Sequence, residues 1–307
     1  MDFEGGGVAY GKDGTGAGLW VAVGAGGIIA KSTDGNVWSP AYTSVVGNVG
    51  GITDYGYGVA YGKDGTGAGL WVAVGEGGII AKSTDGNIWT PAATISGVSG
   101  KGGITGGRGV AYGKDALGAG LWVAVGSGGI IAKSTDGNVW TPAGNVGGIN
   151  SGRGVAYGTD GLGAGLWVVV GFGELMAKSS DGNVWTPAHL IGSRNKGGLE
   201  ASVRCVAYGK NNLGSGLWVA GGGNGTANSS NGNVWSSEIS NSVITGYGFG
   251  VAHGKDGTGA GLWVTVGNGG VIAKSLNGTN WTAVAGADTN KGGITTGWGV
   301  AYKNDIL

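Results

Sequence analysis

Three of the chain's four arginines, Arg108, Arg153 and Arg204, stand two residues ahead of a recurring Val-Ala-Tyr phrase. Each guanidinium offers a planar fork of donors that matches a carboxylate or a sulfate. The equivalent places in the other copies of the phrase hold Gly6, Tyr57, Phe249 and Trp298, and an aromatic face can stack on a sugar ring. A second varied position follows Leu-Trp-Val and carries Glu76, Ser127, Phe172 and Asn268, with Ala25 and Gly223–Asn224 in the remaining copies. Cations, rings and hydrogen-bonding groups at two repeating positions would make a binding surface for a glycan or an acidic small ligand. The bland alternative is that the same side chains plug the centre of the fold and cover its connections.

These positions are set by a repeat that runs the length of the chain. Gly-Val-Ala-Tyr starts at Gly7, Gly58, Gly109 and Gly154, becomes Cys-Val-Ala-Tyr at Cys205 and Gly-Val-Ala-His at Gly250, and returns at Gly299. Gly-Leu-Trp-Val starts at Gly18, Gly69, Gly120, Gly165, Gly216 and Gly261, with 45 or 51 residues between successive tryptophans. Each unit reads as four short strands, "VAYG", "LWVAVG", "IIAKS" and "VWTPA", separated by Gly- and Asp-rich turns. Strands apolar on both faces fit a small sheet sandwiched between two others. Four strands in such a period match a propeller blade, whose radial closure protects the sheet edges. A β-solenoid has shorter coils, and an open array of hairpins would leave edges bare.

The expected architecture is therefore an all-β, six-bladed β-propeller with four antiparallel strands per blade. It fills residues 1–307 as one domain, with blades at about 6–56, 57–107, 108–152, 153–203, 204–248 and 249–297. Trp20, Trp38 and their equivalents are expected to pack on Ala and Gly of the neighbouring blade. The near-constant "KDGTGAG" loops and the turn before the fourth strand share one side of the disc. The varied positions share the other. The seventh first-strand copy, residues 298–307, is surplus to six blades, and either overlies the ring closure or pairs with another chain.

The turn before the fourth strand carries "KSTDGNVW" at 31–38, and this phrase returns nearly unchanged through the chain. It resembles the Asp box, the Ser-x-Asp-x-Gly-x-x-Trp signature of sialidase-type, BNR-repeat β-propellers, in a form one residue shorter between Asp and Gly. The resemblance implies a turn lock away from any active centre. A structural role is expected for Asp34, Asp85, Asp136 and Asp181 and for Asn231 and Asn277, which keep the acceptor oxygen and lose the charge. The resemblance also raises a glycosidase reading. Arg108, Arg153 and Arg204 could imitate an arginine triad, and Tyr57 with one of Glu76, Glu174 or Glu200 the Tyr–Glu nucleophile pair. The family's early Arg-Ile-Pro motif is missing, and no carboxyl pair at controlled separation is visible.

Composition narrows the remaining classes. Formal net charge is zero and 12% of residues are charged, so nucleic acid and membrane insertion are not expected. A single cysteine excludes an internal disulfide, and with two histidines it offers no zinc cluster. His253 takes the place of a strand tyrosine and reads as core, His189 lies in a connection, and Cys205 takes a repeat glycine's place and reads as buried. One carboxylate per "KDGTGAG" loop, replaced by Asn211 in blade five, is too few for calcium. The same loop precedes a strand instead of a helix, which removes the phosphate-cradling geometry. No signal peptide or membrane span is visible, and no cofactor or metal is expected. The first expectation is a soluble, non-catalytic recognition module, lectin-like and carbohydrate-binding, acting through the varied face. The alternatives are a structural or protein-docking propeller of a larger assembly, and a sialidase-like glycoside hydrolase.

Overall fold

The Val-, Ile- and Trp-rich phrases form strands in the computed structural model of the chain. It describes residues 6–43, 51–93, 103–146, 148–172, 176–190, 202–223, 225–236, 239–240, 243–244, 248–284 and 296–302. Blade two shows the pattern, with strands Gly56–Lys63, Gly69–Gly75, Ile80–Ser83 and Ile88–Pro91 paired antiparallel in sequence order. Its second strand is buried on both faces from Trp71 to Val74, because another sheet lies against each side. Sheets of the same order start at Val8, Gly106, Gly152, Val203 and Gly248. The protein is a six-bladed β-propeller.

Neighbouring blades meet through unlike walls. Leu19, Val21 and Ile29 of blade one form one apolar cluster with Trp71, Ala73 and Trp89 of blade two. The same arrangement recurs at the next four interfaces. The tryptophans thus share their clusters with Leu, Val and Ile of the preceding blade as well as with its alanines, such as Ala9 and Ala41, where the sequence suggested Ala and Gly. Alternation along the second strand sends Leu and Val to one face and Trp and Ala to the other, so bulky residues of one wall fill the recesses beside alanines of the next. The second-strand indoles of blades two to six also donate across the interface. Trp71 Nε1 lies 2.8 Å from the Lys12 carbonyl and Trp122 Nε1 2.8 Å from that of Lys63. Connections stitch the outer edges, since Tyr42–Thr43 runs parallel to Ile88–Trp89 and Asn145–Val146 parallel to Val184–Trp185.

The ring closes through an additional station. A β-carbon at Gly7 would stand 3.0 Å from Gly58 Cα, and one at Gly58 would stand 3.1 Å from the Arg108 carbonyl. The series continues from Gly109 to Arg153 and from Gly154 to Arg204, then from Gly250 to Trp298. It returns at Gly299, where a β-carbon would stand 2.7 Å from the Gly6 carbonyl. The surplus copy therefore sits within the ring, between the first strands of blades six and one, where a missing side chain permits so close an approach.

Candidate functional site

The first strands of blades two to six carry a register shift at one place. It falls between Gly56 and Gly58, Gly107 and Gly109, Gly152 and Gly154, Val203 and Cys205, and Gly248 and Gly250. The residues so displaced are Tyr57, Arg108, Arg153, Arg204 and Phe249. A bulge leaves one residue out of the ladder and re-aims its side chain, and here the aim is the propeller axis. In blades two and three the glycine ahead of the bulge is needed for packing, because a β-carbon at Gly56 would stand 2.8 Å from Val23 Cβ and one at Gly107 2.7 Å from Val74 Cβ.

Together with Gly6 and Trp298 these five side chains line one axial pocket of about 100 Å³. Its chemistry alternates cation and ring. The Arg108 guanidinium lies 4.9 Å from the Tyr57 ring centre and that of Arg204 4.8 Å from Phe249. Phe249 stacks on Trp298 at 4.2 Å between centroids. Arg108 Nε is buried without a hydrogen-bond partner among the described atoms. No carboxylate is among the described residues that line the pocket itself, where three cations converge.

The second-turn residues divide. Glu76 accepts a hydrogen bond from Tyr57 Oη at 2.9 Å and so joins the pocket's rim. Burial, then that hydrogen bond and the Glu76 charge, push the Tyr57 phenol up to about 12. Phe172 is 57% exposed with the Arg153 guanidinium 6.0 Å from its centre. Ser127, at the end of its strand opposite Gly106, and Asn268, which opens a short 3-10 turn, do not line the pocket. Tyr55 stacks on Tyr57 at 5.9 Å, a supporting ring that no repeat position signalled. Glu174, Glu200 and Asn224, and the side chain of His189, lie outside the described residues.

The opposite rim is built from hydrogen bonds internal to each turn. Asp136 Oδ1 accepts from Ser134 Oγ, Asn138 N and Val139 N at 2.8–2.9 Å, while Gly137 holds a φ of 70° and Trp140 Nε1 donates to its carbonyl. Partial burial raises the Asp136 pKa, and the hydrogen bonds from Val139, Asn138 and Ser134 outweigh it, holding the carboxyl below its ordinary value. Asn231 and Asn277 make equivalent bonds at 2.8–3.1 Å. In the neighbouring loop Asp13 Oδ1 accepts from Thr15 N, Thr15 Oγ1 and Ala17 N, and Asn211 replaces it with bonds to Leu213 N and Ser215 N. Among the described residues no group of three or more His, Cys, Asp or Glu is placed to hold a metal ion.

Cys205 occupies the glycine position beside Gly221, where the other blades carry a valine, and the missing valine side chain is what admits its sulfur. Burial pushes its thiol up to about 12, which leaves it protonated and unreactive. His253 packs at a tilt on Trp263, 4.8 Å between centroids and 58° between planes, as the tyrosines do on their tryptophans. Burial and the Lys210 charge lower its pKa.

No family model matches the chain, and no curated protein matches it. Among solved structures it is similar to one described as YCF48 bound to D1 peptide. The TM-score is 0.56 at 19% identity, covering 86% of this chain and 76% of that one. At that identity the likeness bears on the propeller fold. Among the described residues no helix is long and apolar enough to cross a membrane.

Proposed function

We propose that this propeller is a docking module that engages a polypeptide partner on its axial face, seating a carboxylate of the partner between Arg108, Arg153 and Arg204. The observation that carries the reading is the convergence of three bulge-borne guanidiniums on one pocket with no carboxylate in its lining. Size favours a chain end or an acidic side chain over a buried sugar. About 100 Å³ is the share of a few waters and well below the roughly 300–1,000 Å³ of pockets that enclose whole ligands. Rings already engaged by guanidiniums hold the cations in place and leave them fewer conformations to lose on binding. The solved propeller of similar fold is described as bound to a peptide, which agrees with this class of partner. The Ser-x-Asp-Gly turns keep the resemblance to Asp-box propellers within the proposal as scaffold.

The test is fluorescence anisotropy with labelled acidic peptides ending in a free carboxylate or in an amide, beside a glycan array. Docking predicts saturable binding of the free acid that weakens with salt and falls at least ten-fold in Arg153→Ala. Binding to sialosides on the array with none to peptides would replace docking by the lectin reading, which draws on the same cations.

The Tyr57–Glu76 hydrogen bond beside three arginines favours a glycosidase as second reading. Against it stands a phenol held at about 12, which is neutral and weakly nucleophilic at ordinary pH. Turnover of a fluorogenic sialoside that disappears in Tyr57→Phe would establish it.

A further inference from the structure

One position in the loop after the first strand separates the blades into two sets. Thr15, Thr66 and Thr258 fill it in blades one, two and six, and Leu117, Leu162 and Leu213 fill it in blades three, four and five. Each threonine is part of its loop, because its Oγ1 donates to the carboxylate two residues earlier at 2.6–2.7 Å. The leucines give up that bond and gain no packing in return, being 93%, 95% and 82% exposed. Single exposed leucines are ordinary on a protein surface. Three in successive blades at one repeat position, in a scaffold that accepts threonine there, are not accounted for by folding.

Identical hydrogen bonds hold the three loops at one level. The backbone N–H groups of Leu117, Leu162 and Leu213 donate to Oδ1 of Asp115, Asp160 and Asn211 at 2.8–3.0 Å. Each loop is closed by a bond of 2.8–2.9 Å from its Asp or Asn N–H to the carbonyl of Ala119, Ala164 or Ser215. The first strands beneath them share one register, since a β-carbon at Gly113 would meet the Tyr157 ring and one at Gly158 the Tyr208 ring. The three side chains therefore project as separate spikes from the rim opposite the axial pocket. In these blades the chain enters and leaves the undescribed residues on the pocket rim, at second turns and after fourth strands.

Negative charge thins out in the same sector. The blade-one loop stands against Asp85 and the blade-two loop against Asp136, which adds a second carboxylate to Asp13 and to Asp64. The blade-four loop stands against Asn231, and in the blade-five loop Asn211 and Asn212 stand with Asn277. Among the residues of those two loops and the turns they face, Asp160 is the one carboxylate, and Asp256 of the next loop bounds the sector. Lys114 and Lys210 stay exposed three residues ahead of their leucines. A fluid headgroup layer receives separate apolar spikes without preformed recesses, and the lost carboxylates remove repulsion from lipid phosphates. A stable protein interface needs about 800 Å² of packed surface per partner, which three leucines standing apart among glycines do not supply. We infer that this rim docks peripherally on an anionic phospholipid surface. Leu117, Leu162 and Leu213 enter the headgroup boundary, and Lys114 and Lys210 lie beside its phosphates. Contact of this depth needs no membrane-spanning segment, leaves the axial pocket facing away from the lipid, and is independent of what that pocket binds.

The test is flotation of the full chain with vesicles of phosphatidylcholine and phosphatidylglycerol in equal parts. The wild-type chain should float with them. Replacing all three leucines by the repeat's own residue, Leu117→Thr with Leu162→Thr and Leu213→Thr, should cut the floating fraction at least ten-fold. Blades one, two and six already carry that threonine, so the variant should fold with an unchanged or higher melting temperature. A nitrobenzoxadiazole probe on Leu162→Cys should brighten and shift to the blue on the vesicles. The same probe on Phe172→Cys, exposed on the pocket rim, should not. Absence of flotation overturns the inference. So does flotation that the threonine variant keeps, or an equal probe response on the two rims. A dimeric mass by light scattering that the threonine variant abolishes, with no flotation of either chain, also overturns it and assigns the leucines to a second copy.

Discussion

Asp136 and Arg153 belong to positions that recur around the same ring, on opposite rims, and the two positions obey different rules. On the turn rim the six copies are Asp or Asn, and each makes the same hydrogen bonds. On the axial rim the seven copies are Gly, Tyr, Arg, Arg, Arg, Phe and Trp. The turn rim satisfies backbone donors with the side chain itself, so an acceptor oxygen at fixed reach is the requirement. The axial bulge is fixed by its flanking residues, which approach the neighbouring blade, and the displaced side chain is left to function. One rim holds shape by its side chains, and the other holds shape in spite of them.

That contrast is sharpest at the anchor of the turn rim. Trp140→Ala should cost about 3–5 kcal/mol of stability, because a fully buried indole is lost from an interface that cannot collapse around it. Denaturant unfolding measures it, and a loss below ~1 kcal/mol would mean that the blades tolerate a gap. Next comes the acceptor itself. Asp136→Ala should cost about 1–2 kcal/mol by orphaning turn donors, while Asp136→Asn should stay within about 0.5 kcal/mol, since blades five and six already use Asn. Equal losses in the two variants would show that charge, not the acceptor, matters there. On the axial rim, Arg204→Ala should change stability by less than about 0.5 kcal/mol while reducing peptide affinity at least ten-fold. The reverse pattern would make that rim a structural plug.

The smallest effect concerns pH. The folded state lowers the His253 pKa below its ordinary 6.5, so the unfolded chain takes up the proton first. His253 therefore contributes stability that is present above about pH 6.5 and is lost as pH falls below that value through the lower folded-state pKa. Installing the tyrosine found in the other blades, His253→Tyr, should flatten this part of the melting-temperature profile near pH 6. An unchanged profile would place the titration elsewhere.

Much of this was legible in the repeat. Strand composition, turn glycines and the 45- or 51-residue period gave four strands per unit, because alternation and turn chemistry act over a few residues. The set of axial residues was legible as well, as the one varied letter before a constant phrase. Why those letters point inward was not. The Gly-x-Gly pattern around Tyr57, Arg108 and Arg153 marks a bulge only once Val23, Val74 or Val125 of the preceding blade presses on the first glycine. Cys205 and Gly221 likewise make sense as a pair only when two strands bring them together. The sequence also counted seven first strands against six of every other kind, without saying where the odd one goes.

By itself, then, the chain's order of residues determined local things: strands, turn locks, a bulky and a small face on each sheet, and the identity of the axial side chains. Tertiary structure decided the rest, namely that five bulges and two further segments converge on one small cationic pocket, and that ring closure spans seven first-strand stations. The reason is one of range. Hydrogen bonds and side-chain alternation are settled within a few residues, whereas the angle between packed sheets accumulates around the whole ring and fixes which walls meet.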